Sequence, residues 1–219
     1  MMRRMPRENK LKFYDCKTAP SPRRVRIFMA EKGIEIETVQ VDLKAGEQFS
    51  DEFRSINPDC VVPALQLDDG SCLSEVLAIC DYLESLHPEP PLLGKNPLER
   101  ARILMWNGKS EQQGLWATAN AFRNAARGLA DRAITGPVPY AQIPELAQRG
   151  RDQVKQFFYR LDRQLSANDF VAGERFSVAD ITAMVTSDFA ARLDIPIPED
   201  TAHTRRWYES VATRPSYAA

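Results

Sequence analysis

The sequence predicts an α/β unit built as βαβ followed by ββα, and then an all-helical unit. Three observations carry this. Residues 61–83, VVPALQLDDGSCLSEVLAICDYL, read as a hairpin that opens directly into a helix. Residues 87–97, HPEPPLLGKNP, are proline-rich and read as a connecting segment. Beyond them every apolar row has helical spacing. The expected division is a disordered basic leader at 1–10, the α/β unit at 11–87, a linker at 88–97 and the helical unit at 98–219.

In chain order, residues 11–14 (LKFY) form a first strand, and the loop DCKTAPSP follows with prolines at 20 and 22. Val25, Ile27, Phe28 and Met29 give residues 23–32 helical spacing, with Ser21 placed to cap the start and Gly33 to close the end. The arginines at 23, 24 and 26 read mostly as a solvated face, with Arg23 or Arg24 able to border a ligand. Ile34, Ile36, Val39 and Val41 predict a strand over residues 34–43, and residues 49–56 a short helix ended by Asn57 and Pro58. A short run follows Pro63, and Asp69 and Gly70 turn the hairpin. Ser74 and Glu75 then cap and open a helix whose face is Val76, Ile79, Cys80, Leu83 and Leu86. In the second unit Asn96 caps, Pro97 takes the first helical position, and the apolar row from Ala101 to Phe122 is long enough for one long helix. A Gly-Pro-Val-Pro segment at 136–139 interrupts the pattern before helices marked by Val154 to Leu165, Val178 to Phe189, and Trp207 with Val211. Ser177 to Asp180, flanked by Phe176 and Ile181, is a capping box with a hydrophobic staple, so Asp180 is expected to be structural.

Bulk composition narrows the function by exclusion. A formal net charge of −1, with 27% charged and 43% hydrophobic residues, is ordinary globular composition and favours neither nucleic acid nor strongly acidic partners. No apolar run approaches the roughly 20 residues of a membrane-spanning helix. The basic start MMRRMPRENK lacks the apolar core of a secretory signal. Cys16, Cys60, Cys72 and Cys80 include no CxxC pair, and His87 and His203 cannot build a metal site unaided, so a reduced, cytoplasmic protein without a metal is expected.

The hairpin supplies the chemistry. A proline at its mouth is where a cis peptide bond is tolerated, which would turn Val62 outward and offer its N–H and C=O to an extended ligand. The helix start at Ser74, Glu75 and Val76 presents free N–H groups and a positive dipole end suited to a carboxylate. Glu75 beside it can take an ammonium. Together these describe a receptor for a small peptide with an amino-acid head. The plainer alternative is a hairpin and amphipathic helix in which Ser74 only caps and Pro63 only shapes a turn.

Over residues 11–217 the chain resembles the cytosolic glutathione S-transferase superfamily, in a bacterial-type form. The resemblance is carried by KFYD at 12–15, SPRRVRIFMAEKGI at 21–34, INPDCVVPAL at 56–65, LSEVLAICDYL at 73–83 and FVAGERFSVADI at 170–181. It implies a thioredoxin-like first domain with a cis-proline, a helical second domain, a homodimer, and glutathione as co-substrate in detoxification. It further implies that Val62, before Pro63, bonds the cysteinyl backbone, that Glu75 holds the γ-glutamyl group and that Gln48 contacts the glycyl end. The family usually has serine where this chain has Val76, so only the Val76 N–H can serve there, and often lysine where it has Val61. Both departures weaken the expected grip on the ligand.

A thiol with a pKa near ~8.5 is only slightly ionised at neutral pH, so the task is to favour its thiolate. A hydroxyl at the start of the first helix, aided by the helix dipole, is suited to that task. Ser21 is the first candidate, with helix capping as its plainer role, and Thr18 the second. Tyr14 fits better as a core residue at a strand end. Cys16 could act as a glutaredoxin-like nucleophile but has no partner cysteine. Trp106, Asn107 and Trp116 are candidate walls for the second substrate, or packing residues. The expected activity is thiolate attack on a small electrophile. The alternatives are glutathione-dependent reduction of a disulfide or peroxide, and a non-catalytic binding protein of this fold.

Overall fold

The structure is a computed structural model that describes residues 11–219; the leader expected at 1–10 lies outside the described residues. The first unit is a four-stranded sheet in the order β2-β1-β3-β4, formed by β1 (Lys12–Asp15), β2 (Glu37–Gln40), β3 (Ala64–Gln66) and β4 (Cys72–Ser74). β1 pairs parallel with β2 and antiparallel with β3, and β3 pairs antiparallel with β4. Helices α1 (Pro20–Lys32), α2 (Asp51–Ile56) and α3 (Val76–Leu86) complete it. The second unit is helical: α4 (Pro97–Lys109), a wide turn at Ser110–Leu115, α5 (Trp116–Arg123), α6 (Pro144–Leu165), α7 (Val178–Ala191) and α8 (Ala202–Ala212).

Element boundaries follow local chemistry. Gly33 adopts φ 63°, the left-handed geometry that closes α1, and Ile34 N–H reaches back to the Met29 carbonyl at 2.9 Å. That closure withholds Ile34 from the sheet, and Asp42 folds its side chain onto the N–H groups of Lys44 and Ala45, so the strand expected over 34–43 is only four residues long. Asn96 accepts from Glu99 N–H at 3.0 Å and Pro97 opens α4, as the spacing predicted. α4, the wide turn and α5 run as one long helix interrupted by π geometry. Gly114 lies within it where a Cβ would come within 2.9 Å of the Phe157 and Thr186 side chains, so these side chains of α6 and α7 pack directly on the helix backbone.

One apolar core joins the two units: Phe13, Ile27 and Phe28 on one side are continuous with Phe157, Phe158, Ile181, Met184 and Trp207 on the other. α1 therefore sits against α7. The loop before α1 is tied to β2, where Lys17 N–H donates to Gln40 Oε1 at 3.0 Å, and to the end of α7, where Arg192 donates to the Thr18 carbonyl at 3.5 Å.

Candidate functional site

Strand register brings the site together. Tyr14 pairs with Ala64 and Ala64 with Ser74, so the loop after β1, the residues before β3 and the residues after β4 emerge side by side at one end of the sheet. The Val62–Pro63 peptide is cis. Among the described residues, neither the N–H nor the C=O of Val62 has a backbone partner, while the preceding Val61 carbonyl accepts from Asn57 Nδ2 at 2.9 Å. Opposite stands Glu75, exposed and at φ 68°, ψ 123°, a backbone geometry that disfavours a side chain. Ser74 does not cap α3: Glu75 occupies the capping position and, among the described residues, no side chain bonds the first N–H groups of the helix. The first turn of α3 thus keeps its N–H groups and positive dipole end open beside a carboxylate and a free peptide edge. Val76 is buried in the core, so only its backbone faces that edge. Gln48 is 4% exposed, yet among the described residues its Oε1 has no hydrogen-bond partner, a deficit that a ligand donor would repair.

The residues proposed for the thiol sit at the start of α1, with one correction. Ser21 does not cap this helix. Ala19 holds the capping position with no side-chain bond, Pro20 leads, and Ser21 lies within the first turn, half-buried. The Ser21 hydroxyl accepts from Arg24 Nη2 at 3.4 Å. Thr18 is exposed, with its hydroxyl 3.6 Å from the buried Cys16 thiol. Tyr14 is a core residue: its ring meets Phe53 edge-on at 5.8 Å, its hydroxyl donates to Gln66 at 3.2 Å, and burial raises its pKa.

Arginines that read as a solvated face are bound into the fold instead. Arg24 is 3% exposed, and its Nη1 donates to Glu111 Oε1 at 2.8 Å. Arg23 pairs with Asp188 and donates to the Tyr217 carbonyl at 2.9 Å. Arg24 and Glu111 lie 87 positions apart, and no local pattern announces their contact. Trp106 and Asn107, candidate pocket walls, are buried, with Asn107 accepting from Thr182 at 2.7 Å, so both serve packing; Trp116 is exposed. A separate cleft of about 410 Å3, lined by Lys17, Arg23, Arg26, Asp188, Arg192 and the last residues of the chain, contains none of Gln48, Val62, Glu75 or Ser21. Asp180 is fully buried and accepts from Val171 N–H, Ser177 N–H, Ser177 Oγ and Trp207 Nε1 at 2.8–3.0 Å, which confirms its structural role. Among the described residues, no cluster of His, Cys, Asp or Glu could hold a metal ion, and no helix is long and apolar enough to cross a membrane.

Comparison with known proteins agrees with this geometry. Residues 18–86 match the family model of the glutathione S-transferase N-terminal domain, and residues 129–215 that of the C-terminal domain. Glutathione S-transferase 2 of Saccharomyces cerevisiae is 36% identical, over 95% of this chain and 88% of its own length. A crystal structure of a glutathione S-transferase domain-containing protein from Marinobacter aquaeolei is 38% identical with a TM-score of 0.87, over 94% of this chain and 98% of that one. Gtt2 from Saccharomyces cerevisiae is 35% identical with a TM-score of 0.86, again over 94% and 98%. With both characteristic domains in order and relatives matched along nearly the whole chain, this protein belongs to the glutathione S-transferase superfamily and is a glutathione transferase.

Proposed function

We propose that glutathione lies along the edge formed by Val62, Pro63 and the start of α3, and that Ser21 stabilises its thiolate for attack on a small electrophile. The Val62 N–H and C=O pair with the cysteinyl unit in the manner of an added strand. The Glu75 carboxylate takes the γ-glutamyl ammonium, the open N–H groups of Val76 and its neighbour take the γ-glutamyl carboxylate, and Gln48 meets the glycyl end. The thiol proton passes to solvent, the sulfur forms a bond to the electrophilic carbon, and the leaving group departs with its electron pair. Thr18 is the second candidate for the thiolate donor.

The observation that carries this reading is that two unpartnered groups stand side by side at one end of the sheet, the Val62 peptide and the uncapped start of α3; the buried Gln48 amide oxygen, without a partner among the described residues, supports its assignment to the glycyl end. A homodimer is part of the proposal, since Leu98, Met105 and Trp116 stand exposed along the long helix where a second subunit could cover them. A cytoplasmic location is proposed from the reduced cysteines.

The test is an ultraviolet titration of the thiolate of bound glutathione, in the wild type and in Ser21→Ala. The expected result is a bound pKa at least about one unit below that of free glutathione, moving back toward it in the variant. An unshifted pKa in the wild type at saturation would overturn thiol activation and favour a reductase or a simple binding protein.

A further inference from the structure

We infer that Arg24, held by Glu111 of the helical unit, is a positioning residue that makes the Ser21 hydroxyl a one-way donor toward the sulfur. The inference rests on the assignment of Ser21 made above and extends it. A serine hydroxyl has one proton and two lone pairs, so its usefulness to a thiolate depends on where the proton points. Arg24 can only donate. Its Nη2 occupies a Ser21 lone pair at 3.4 Å, and among the described residues the Ser21 hydroxyl donates to no protein atom. The proton is therefore left free for a ligand. At 3.4 Å the contact is weak, and it needs to shorten when charge develops on the sulfur for the arrangement to act.

Burial gives the arrangement its force. Arg24 is 3% exposed, and among the described residues its only carboxylate partner is Glu111 and its buried Nε–H has no partner. Ser110, next to Glu111, also carries a buried hydroxyl without a partner among the described residues. A guanidinium kept from water beside a hydroxyl polarises that hydroxyl more strongly than a solvated one would. Glu111 sits in the wide π turn of the long helix, where backbone geometry departs from the α-helix on either side. Ser21 is thus oriented by a residue of its own helix, which a carboxylate of the other structural unit holds in place. The other charges nearby are accounted for: Arg23 is paired with Asp188, Arg192 donates to the Thr18 carbonyl at 3.5 Å, and Lys17 lies in the separate cleft, while Glu75 stands at the start of α3.

The experiment measures the pKa of the bound glutathione thiol, together with glutathione affinity, in Ser21→Ala, Arg24→Gln, Arg24→Lys, Glu111→Gln and Ser21→Ala/Arg24→Gln. Thermal unfolding confirms that each variant is folded, and Arg24→Lys keeps the buried charge should Arg24→Gln fail to fold. The expected result is that Arg24→Gln raises the bound pKa by at least half the shift of Ser21→Ala, with affinity changed less than about threefold and the double variant no worse than Ser21→Ala alone. Arg24→Lys, lacking the fork, should restore only part of the shift, and Glu111→Gln should lie between wild type and Arg24→Gln. If Ser21→Ala raises the pKa and neither Arg24 variant does, the inference fails while the Ser21 assignment stands. If Ser21→Ala leaves the pKa unchanged, the Ser21 assignment fails and the relay with it. Shifts that add fully in the double variant would overturn the relay by showing that Arg24 acts independently of Ser21.

Discussion

Two helix starts in this molecule solve the same problem in opposite ways. At α7, Ser177 and Asp180 form a capping box, and Asp180 also takes Val171 N–H and Trp207 Nε1, so the first turn is closed and buried. At α3, Glu75 caps with no side-chain bond, holds a backbone geometry unfavourable for its type, and leaves the first turn open. Both ends carry a carboxylate, but one carboxylate is spent on the protein and the other faces outward. The difference teaches where the fold is stabilised and where it is left incomplete for a ligand.

The sharpest way to break the comparison is Asp180→Ala. It strands four buried donors and should cost about 3–5 kcal/mol in urea unfolding, while the remaining folded protein binds glutathione normally. Glutathione affinity lost out of proportion to the folded fraction would mean that α7 is no mere scaffold. The next effect is one of pH. Burial raises the Asp180 pKa to about 6 despite the hydrogen bonds that lower it. Because the folded state then holds this proton more tightly than the unfolded chain, its contribution to stability is full below about pH 4 and is lost as pH rises through about 6. The stability difference between wild type and Asp180→Asn should therefore shift against the wild type over that interval; a flat difference would contradict it.

At the open end the effects on stability should be smaller. Glu75→Gly relieves the strained backbone and should raise stability by up to about 1 kcal/mol, while glutathione affinity falls about tenfold in calorimetry. Lower stability would show that Glu75 is held there for the fold. Val76→Ser has the mildest expected effect on binding. Removing a buried valine should cost about 1–2 kcal/mol of stability, and a hydroxyl at the ligand carboxylate should tighten binding severalfold. Unchanged affinity would place the carboxylate elsewhere.

Much of this architecture could be read in the chain because the relevant signals are local. Gly33, Asn96, Pro97, Asp69 with Gly70, and the Ser177–Asp180 spacing each act within one turn, and each functions in the structure as its chemistry dictates. Local reading went astray where a residue's partner is distant or its neighbours compete. Ser21 looked like a cap, but Pro20 leads the helix and the cap falls to Ala19. Ser74 likewise looked like a cap, but its pairing with Ala64 keeps it in the strand and passes the capping position to Glu75.

Residue types and short spacings, then, settle the βαβ–ββα and helical plan, the position of the proline before β3 and the carboxylate at the start of α3. These depend on dihedral preferences and hydrogen bonds between near neighbours, which act over a few residues wherever the chain goes. The burial of Arg24 against Glu111, the half-buried setting of Ser21, the consignment of Trp106 and Asn107 to packing, and the open peptide edge at Val62 depend on contacts between segments far apart in sequence. Burial and strand register set those contacts, and both are properties of the assembled core rather than of any stretch of the chain.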